Sequence, residues 1–275
     1  MSGELKILRS RLAGNFTSAL EEMPDLLKAD QYRRNLRSLE NWEPYLLEES
    51  ALPGPRANLE LAQVVADEGN EPLFLDFISY TPDIAPSNSP AEFLAMCGII
   101  GLGKLIVEGD LHHLKMLQSF ASDPRWRIRE GVAMALQRLG EKDMDRLIAE
   151  MEIWSQGNLL EMRASAAALA EPSLLKEEKH VAKALQILDR ITDSLHQVER
   201  RNNPEFKALQ KGLAYCWSVA VVALPHEGKP MMEKWLLSGD PDIRWIMKEN
   251  LKKNRLKRLD PEWVKKWNSR LLNTG

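Results

Sequence analysis

Five times along this chain a residue with a short, oxygen-bearing side chain stands directly before a proline: Ser89-Pro90, Asp123-Pro124, Asn203-Pro204, Asp240-Pro241 and Asp260-Pro261. Such a side chain accepts hydrogen bonds from the free amides of a first helical turn. Proline at the first helical position loses nothing, because an N–H there has no intrahelical partner. Ser89 also has Glu92 three residues on, the pattern of a capping box. Glycines at 109, 140, 157 and 239 stand where helices are expected to stop.

Between these marks the apolar residues recur at helical spacing. Val132, Ala133, Leu136 and Leu139 form one stripe, Met144, Leu147, Ile148 and Met151 a second, and Val181, Ala184, Leu185, Leu188 and Ile191 a third. Strand-like alternation is nearly absent; only Leu73 to Tyr80 has some of that character. The expected helices are 3–22, 30–49, 56–68, 71–79, 90–108, 110–121, 124–139, 142–155, 158–170, 173–198, 204–224, 229–237, 241–255 and 261–272. The Pro-, Asn- and Ser-rich stretch Thr81 to Ser89 is the expected soft boundary. It separates an N-terminal helical part or cap, 1–89, from an array over 90–275, the two forming one continuous domain.

The cap–proline junctions also carry a period. Pro90 to Pro124 is 34 residues and Pro204 to Pro241 is 37; the 80 residues between Pro124 and Pro204 hold two further units, with a degenerate start near Asn158. Periods of this size predict stacked antiparallel helix pairs. The segment SDPRWRIREGVAMALQRLG, 122–140, resembles the second helix of a HEAT-type repeat, with Asp123 near the turn, Arg129 in the first turn, then Val132, Ala133, Ala135 and Leu136. Met162-Arg163-Ala164 with Ala166 to Leu169 is a looser match. Asp240, Arg244 and Leu251 match too, whereas Lys248 and Glu249 depart from the pattern. The matches cover 90–172 and 238–256. The resemblance implies an all-α fold, a right-handed α-solenoid of antiparallel helix pairs. It implies no activity, since one fold hosts many functions.

Motifs that carry chemistry are sparse. Gly98 to Leu105 satisfies G-x-x-x-x-G-K, but Leu105 replaces the Ser or Thr that would hold magnesium, and a helix start rather than a strand precedes it. Its glycines are expected to allow close helix packing. The five histidines make no i, i+4 pair and no cluster with the cysteines, so no metal and no cofactor is expected. Adjacent acids such as Glu177-Glu178 do not share a helical face. No catalytic residue is assigned.

Tryptophans stand beside arginines at the unit starts. Trp126 lies between Arg125 and Arg127, Trp245 follows Arg244, and Trp154 ends the helix before Arg163. One reading is repeat-to-repeat packing with Arg closing over an indole face. The other is a concave groove that holds a ligand or partner, lined by Arg125, Trp126, Arg129, Trp154, Arg163, Arg244 and Trp245. The enzymatic branch of the HEAT-like class, the alkylpurine DNA glycosylases, uses a groove with tryptophans, an aspartate and an arginine; Asp123 is the aspartate available here, and helix capping explains it as well.

Charge is distributed unevenly. The whole chain carries a formal charge of -3, which excludes a generically polybasic protein. Residues 201–275 hold 15 Lys+Arg against 8 Asp+Glu, including the patch Lys248, Lys252, Lys253, Arg255, Lys257 and Arg258. That patch is either an anion-binding end or the solvated face of a capping repeat. The opening residues lack a signal peptide's apolar core, the longest apolar runs are short for a membrane span, and Cys97 and Cys216 lie in apolar segments. These features predict a cytoplasmic protein that does not enter membranes. The expected function is a non-catalytic scaffold that presents its concave face to a protein or peptide. The alternative is a DNA-binding or glycosylase-like protein of the HEAT-like repair type.

Overall fold

Helices are the only regular elements among the described residues, 28–272, of this computed structural model, and no strand occurs among them. The fold is all-α. The helix expected over 3–22 lies outside the described residues. A helix covers 28–38 (α1), followed by α2 Glu43–Glu49, α3 Leu59–Glu68, α4 Glu71–Ile78, α5 Pro90–Val107, α6 His112–Phe120, α7 Trp126–Lys142 and α8 Met144–Trp154. Then come α9 Leu159–Leu169, α10 Glu178–Ser194, α11 Pro204–Ala223, α12 Pro225–Leu236, α13 Pro241–Leu251, α14 Asn254–Leu259 and α15 Pro261–Leu272.

Most cap junctions act as their chemistry requires. Asn203 accepts from the Phe206 amide at 2.6 Å, Asp240 from those of Asp242 and Ile243, and Asp260 from that of Trp263. Asn158 opens α9 with a complete capping box to Glu161. Several boundaries differ from the sequence-based expectation, each for a local reason. The helix expected over 30–49 is two helices, because Pro44 cannot donate into a continuing helix and starts α2 instead. The helix expected over 71–79 forms as Glu71–Ile78, capped by Asn70 and with Pro72 in its first turn. Gly140 does not end α7; the helix runs to Lys142, and Gly140 lies where a Cβ would meet Leu147 and Leu174. The Pro225 junction, rather than the region of Pro230, opens α12. The Ser89 box is shifted by one residue: Glu92 reaches the amide of Asn88 at 2.7 Å.

Two compact units make up the chain, Met1–Gly101 and Leu102–Gly275, the division falling inside α5. In unit 1, apolar burial centres on Leu36, Leu46, Leu61, Val65, Phe74 and Phe77. The Tyr32 hydroxyl accepts from Asn58, and the Tyr80 hydroxyl donates to Glu43 at 2.9 Å. Gly98 and Gly101 lie against Phe74, close enough that any side chain at either position would displace that ring or its backbone. This is the packing role expected of the G-x-x-x-x-G-K stretch. By length and composition α5 is long and apolar enough to cross a membrane, with mean hydropathy 1.6, and 78% of it is buried within the protein.

Unit 2 has a regular pattern of neighbours. α7 packs on α9, α9 on α11 and α11 on α13, while α8 packs on α10 and α10 on α12. Sequential helices also touch, so each helix is covered by its chain neighbours and by the next helix but one. Two rows result, α7/α9/α11/α13 and α8/α10/α12. Polar groups trapped between α10, α11 and α13 are satisfied. The Trp217 indole donates to Thr192 at 3.0 Å; Asn250 donates to the carbonyls of Leu213 and Ile246 and accepts from the Ser218 amide.

At the start of α13, Arg201 donates to Asp240 at 2.6 Å and to Asp242 at 3.2 Å. Burial opposes ionisation of Asp240, but the bonds from Arg201 and from the helix amides outweigh it and hold the carboxyl below its ordinary value. A depressed carboxylate contributes stability above its unfolded-state pKa and loses it as pH falls through the folded-state value. Asp240→Asn should therefore lose about 1–2 kcal/mol at neutral pH. That deficit should vanish as pH drops below the ordinary carboxylate range, which denaturant titrations of both proteins across acid pH would show.

Candidate docking face of unit 2

The two rows of unit 2 treat their cations differently. Among the described residues of α8, α10 and α12, every Lys and Arg except Arg190 has a carboxylate partner: Arg146 with Glu150, Lys179 with Asp145, Lys183 with Glu152, Lys229 with Asp260 and Lys234 with Asp189. On the other row Arg163 pairs with Glu130 and Arg127 stacks on Trp126, but Arg129, Lys211, Arg244 and Lys248 pair with no carboxylate among the described residues, and Lys207 donates to Gln210. Neutralised pairs cancel their fields, whereas unpaired cations on neighbouring helices add theirs. The row α7/α9/α11/α13 is therefore the electropositive one.

Helical spacing sets this face. Past its first turn, the exposed positions of α11 are Lys207, Lys211, Tyr215 and Ala223, and the first three follow each other at i+4. On α13 Trp245 and Lys248 face solvent, with Arg244 half-buried, and on α7 Trp126 does, with Arg129 and Glu130 half-buried. Just beyond α13, the Arg255 guanidinium lies 4.6 Å from the centroid of the Tyr215 ring and donates to its hydroxyl at 2.6 Å, while Lys253 stands 6.0 Å from the same ring. Tyr215 is thus a cation-flanked aromatic, 44% exposed.

The residues singled out from sequence divide into three groups. Trp126, Trp245, Arg129, Arg163 and Arg244 lie on the electropositive row. Trp126 and Trp245 are 46% and 39% exposed, and Arg127 stacks 4.4 Å from the Trp126 ring. Arg125 and Trp154 are structural. Arg125 is buried, and its backbone amide, Nε and Nη2 all donate to Asp123, at 2.7, 3.0 and 2.8 Å. This also delays α7, which begins at Trp126 rather than Pro124, because the Asp123 carboxylate turns to Arg125 instead of to the helix amides. Trp154 ends α8 in the other row and is 2% exposed. The basic patch is the third group. Lys252 is held by Glu249, Lys253 and Arg255 belong to the Tyr215 cluster, and Lys257 and Arg258 are exposed on α14.

Sequence reasoning missed Tyr215, Lys207 and Lys211. Their i+4 spacing on a long apolar helix was the available signal, hidden because a tyrosine among apolar residues reads as core. It also missed Glu130, which pairs with Arg163. Cys216 is buried, and that burial pushes its thiol up to about 12, which disfavours the thiolate. No family model matches this chain, and no curated protein matches it.

The division of the arginines is measurable. Arg125→Ala leaves the Asp123 carboxylate buried without its partner and should destabilise unit 2 by about 3 kcal/mol. Arg244→Ala removes an unpaired side chain and should stay within about 0.5 kcal/mol of the parent. Thermal and denaturant unfolding of both variants checks the contrast.

Proposed function

We propose that unit 2 is a right-handed α-solenoid of HEAT-like helix pairs, and that its α7/α9/α11/α13 row is the concave face on which an acidic protein or peptide docks. The protein acts as a cytoplasmic, non-catalytic scaffold. The observation that carries this reading is the difference in pairing between the rows. Unpaired cations on α7, α11 and α13 stand on the same helices as exposed Trp126, Trp245 and Tyr215, while every described Lys and Arg of the opposite row except Arg190 is paired with a carboxylate. Desolvated aromatics supply contact area, and unpaired cations supply steering and register against an acidic partner. The packing of each helix on its next-but-one neighbour supports the solenoid.

A second reading, nucleic-acid binding, draws on the same cations and on Tyr215 as a stacking platform. Its base-excising form is weakened by the position of Asp123. That carboxylate is buried and engaged with Arg125 through both oxygens, so it does not stand open to a developing positive charge on a sugar.

Fluorescence anisotropy with labelled polyglutamate and labelled duplex DNA at low and physiological salt separates the two. The scaffold reading expects polyglutamate to bind the full chain, to weaken with salt, and to bind roughly tenfold more weakly to the double variant Lys211→Ala, Lys248→Ala. DNA binding tighter than polyglutamate at physiological salt would overturn it in favour of the second reading.

A further inference from the structure

Within the electropositive row, Arg163 reaches the backbone of Arg129, and its charge acts on the Arg129 guanidinium. Arg163, on α9, reaches back to α7. Its Nη1 donates to the Arg129 carbonyl at 2.9 Å, and its Nη2 pairs with Glu130. Its stem crosses Gly212 of α11; a Cβ there would meet Arg163 Cγ at 3.4 Å. The guanidinium is therefore held on α7, while the stem runs beside α11. Its side chain is 12% exposed, whereas that of its partner Glu130 is 43% exposed. The cation is the anchored member of this pair and the anion is the loose one.

Among the described residues, Arg129 has no carboxylate partner. Nη1 donates to the backbone carbonyls of Asp123 and Pro124 at 2.6 and 3.0 Å, and Nε is buried without an acceptor. Burial, and then the charge of Arg163, push the Arg129 guanidinium below its ordinary pKa. Both effects mean that a second anion beside these two arginines would be favoured. The Asp123 charge also acts on Arg129, but that carboxylate is engaged by Arg125; beyond that pair, two guanidiniums have one carboxylate, Glu130, and the positions are preorganised by backbone acceptors, which lowers the ordering cost of binding.

We propose that Arg129 and Arg163 form a carboxylate-binding subsite in which Glu130 is the resident counter-ion, displaced when an acidic side chain of the partner docks. This rests on the reading of the row as a face for an acidic peptide, and names where one acidic residue of that peptide is held. A carboxylate, rather than a phosphate, is assigned because Arg163 already holds one. Glu130 then acts as a built-in competitor: it keeps Arg163 from remaining an unpaired, largely buried charge in the free protein, and it lowers affinity for anions that cannot displace it.

The test compares the full-length parent with Glu130→Gln, Arg129→Ala and the double variant, using labelled polyglutamate with polyglutamine as the uncharged control. Melting temperatures are measured alongside, to establish that each variant is folded. Glu130→Gln should bind polyglutamate about fivefold more tightly than the parent, and that gain should be absent when Arg129→Ala is added. Binding by the parent with no gain in folded Glu130→Gln would overturn the subsite and leave the docking face standing. No binding by either protein would overturn both. If Glu130→Gln proves unfolded, Glu130→Ala and competition of labelled polyglutamate by free glutarate on the Arg129→Ala variant replace it; equal competition on parent and variant would overturn the subsite. Inorganic phosphate displacing the peptide from Glu130→Gln more effectively than glutarate would overturn the carboxylate assignment.

Discussion

Nearly everything in unit 2 follows from the burial of α11. This helix is apolar around most of its circumference, and Phe206, Leu209, Leu213, Cys216, Trp217, Val219, Ala220 and Val221 are all removed from water. Such a helix needs neighbours on several sides, and α9, α10, α12, α13 and α14 supply them. Each large buried side chain contributes about 1.5–3 kcal/mol, so α11 orders the helices around it. The few polar groups in this interior have partners, as the Trp217–Thr192 and Asn250 bonds show. Past its first turn, what remains of α11 for solvent is a narrow stripe, Lys207, Lys211 and Tyr215, with Ala223 at its end.

The stripe explains why the two rows differ in charge. On α8, α10 and α12, cations alternate with carboxylates within reach, and surface pairs of this kind contribute little stability while cancelling the field. On α7, α9, α11 and α13 most acids near helix starts are engaged elsewhere, with Glu205 of α11 left exposed. Asp123 turns to Arg125, Asp240 and Asp242 to Arg201, and Glu161 caps α9. The capping chemistry that begins these helices thus removes the carboxylates that could have neutralised the face. Of the carboxylates that remain on these helices, Glu249 pairs with Lys252 and Glu130 with Arg163.

Much of this was legible in the sequence, because helices with proline-marked starts are local objects. Asn203, Asp240 and Asp260 cap as their side chains require, and the glycines of α5 admit close neighbours. Where the reading failed, a local competitor acted: Pro44 restarted a helix, and Arg125 drew Asp123 away from α7. The candidate site was less legible. Arg125 and Trp126 are adjacent in sequence yet one is buried and the other open, and no periodicity settles which arginine finds a carboxylate across a helix boundary. Tyr215 gains its meaning from Arg255, forty residues away. Pairing between distant residues decides the character of the face, and composition averages it out.

The claim at the centre of this account is that one row binds and the other does not. Hydrogen–deuterium exchange of the full chain with and without polyglutamate measures that directly. The account predicts protection confined to peptides from α7, α9, α11 and α13 and the segment carrying Lys253 and Arg255, with α8, α10 and α12 unchanged. Protection centred on α8, α10 and α12, or spread evenly over both rows, would contradict it.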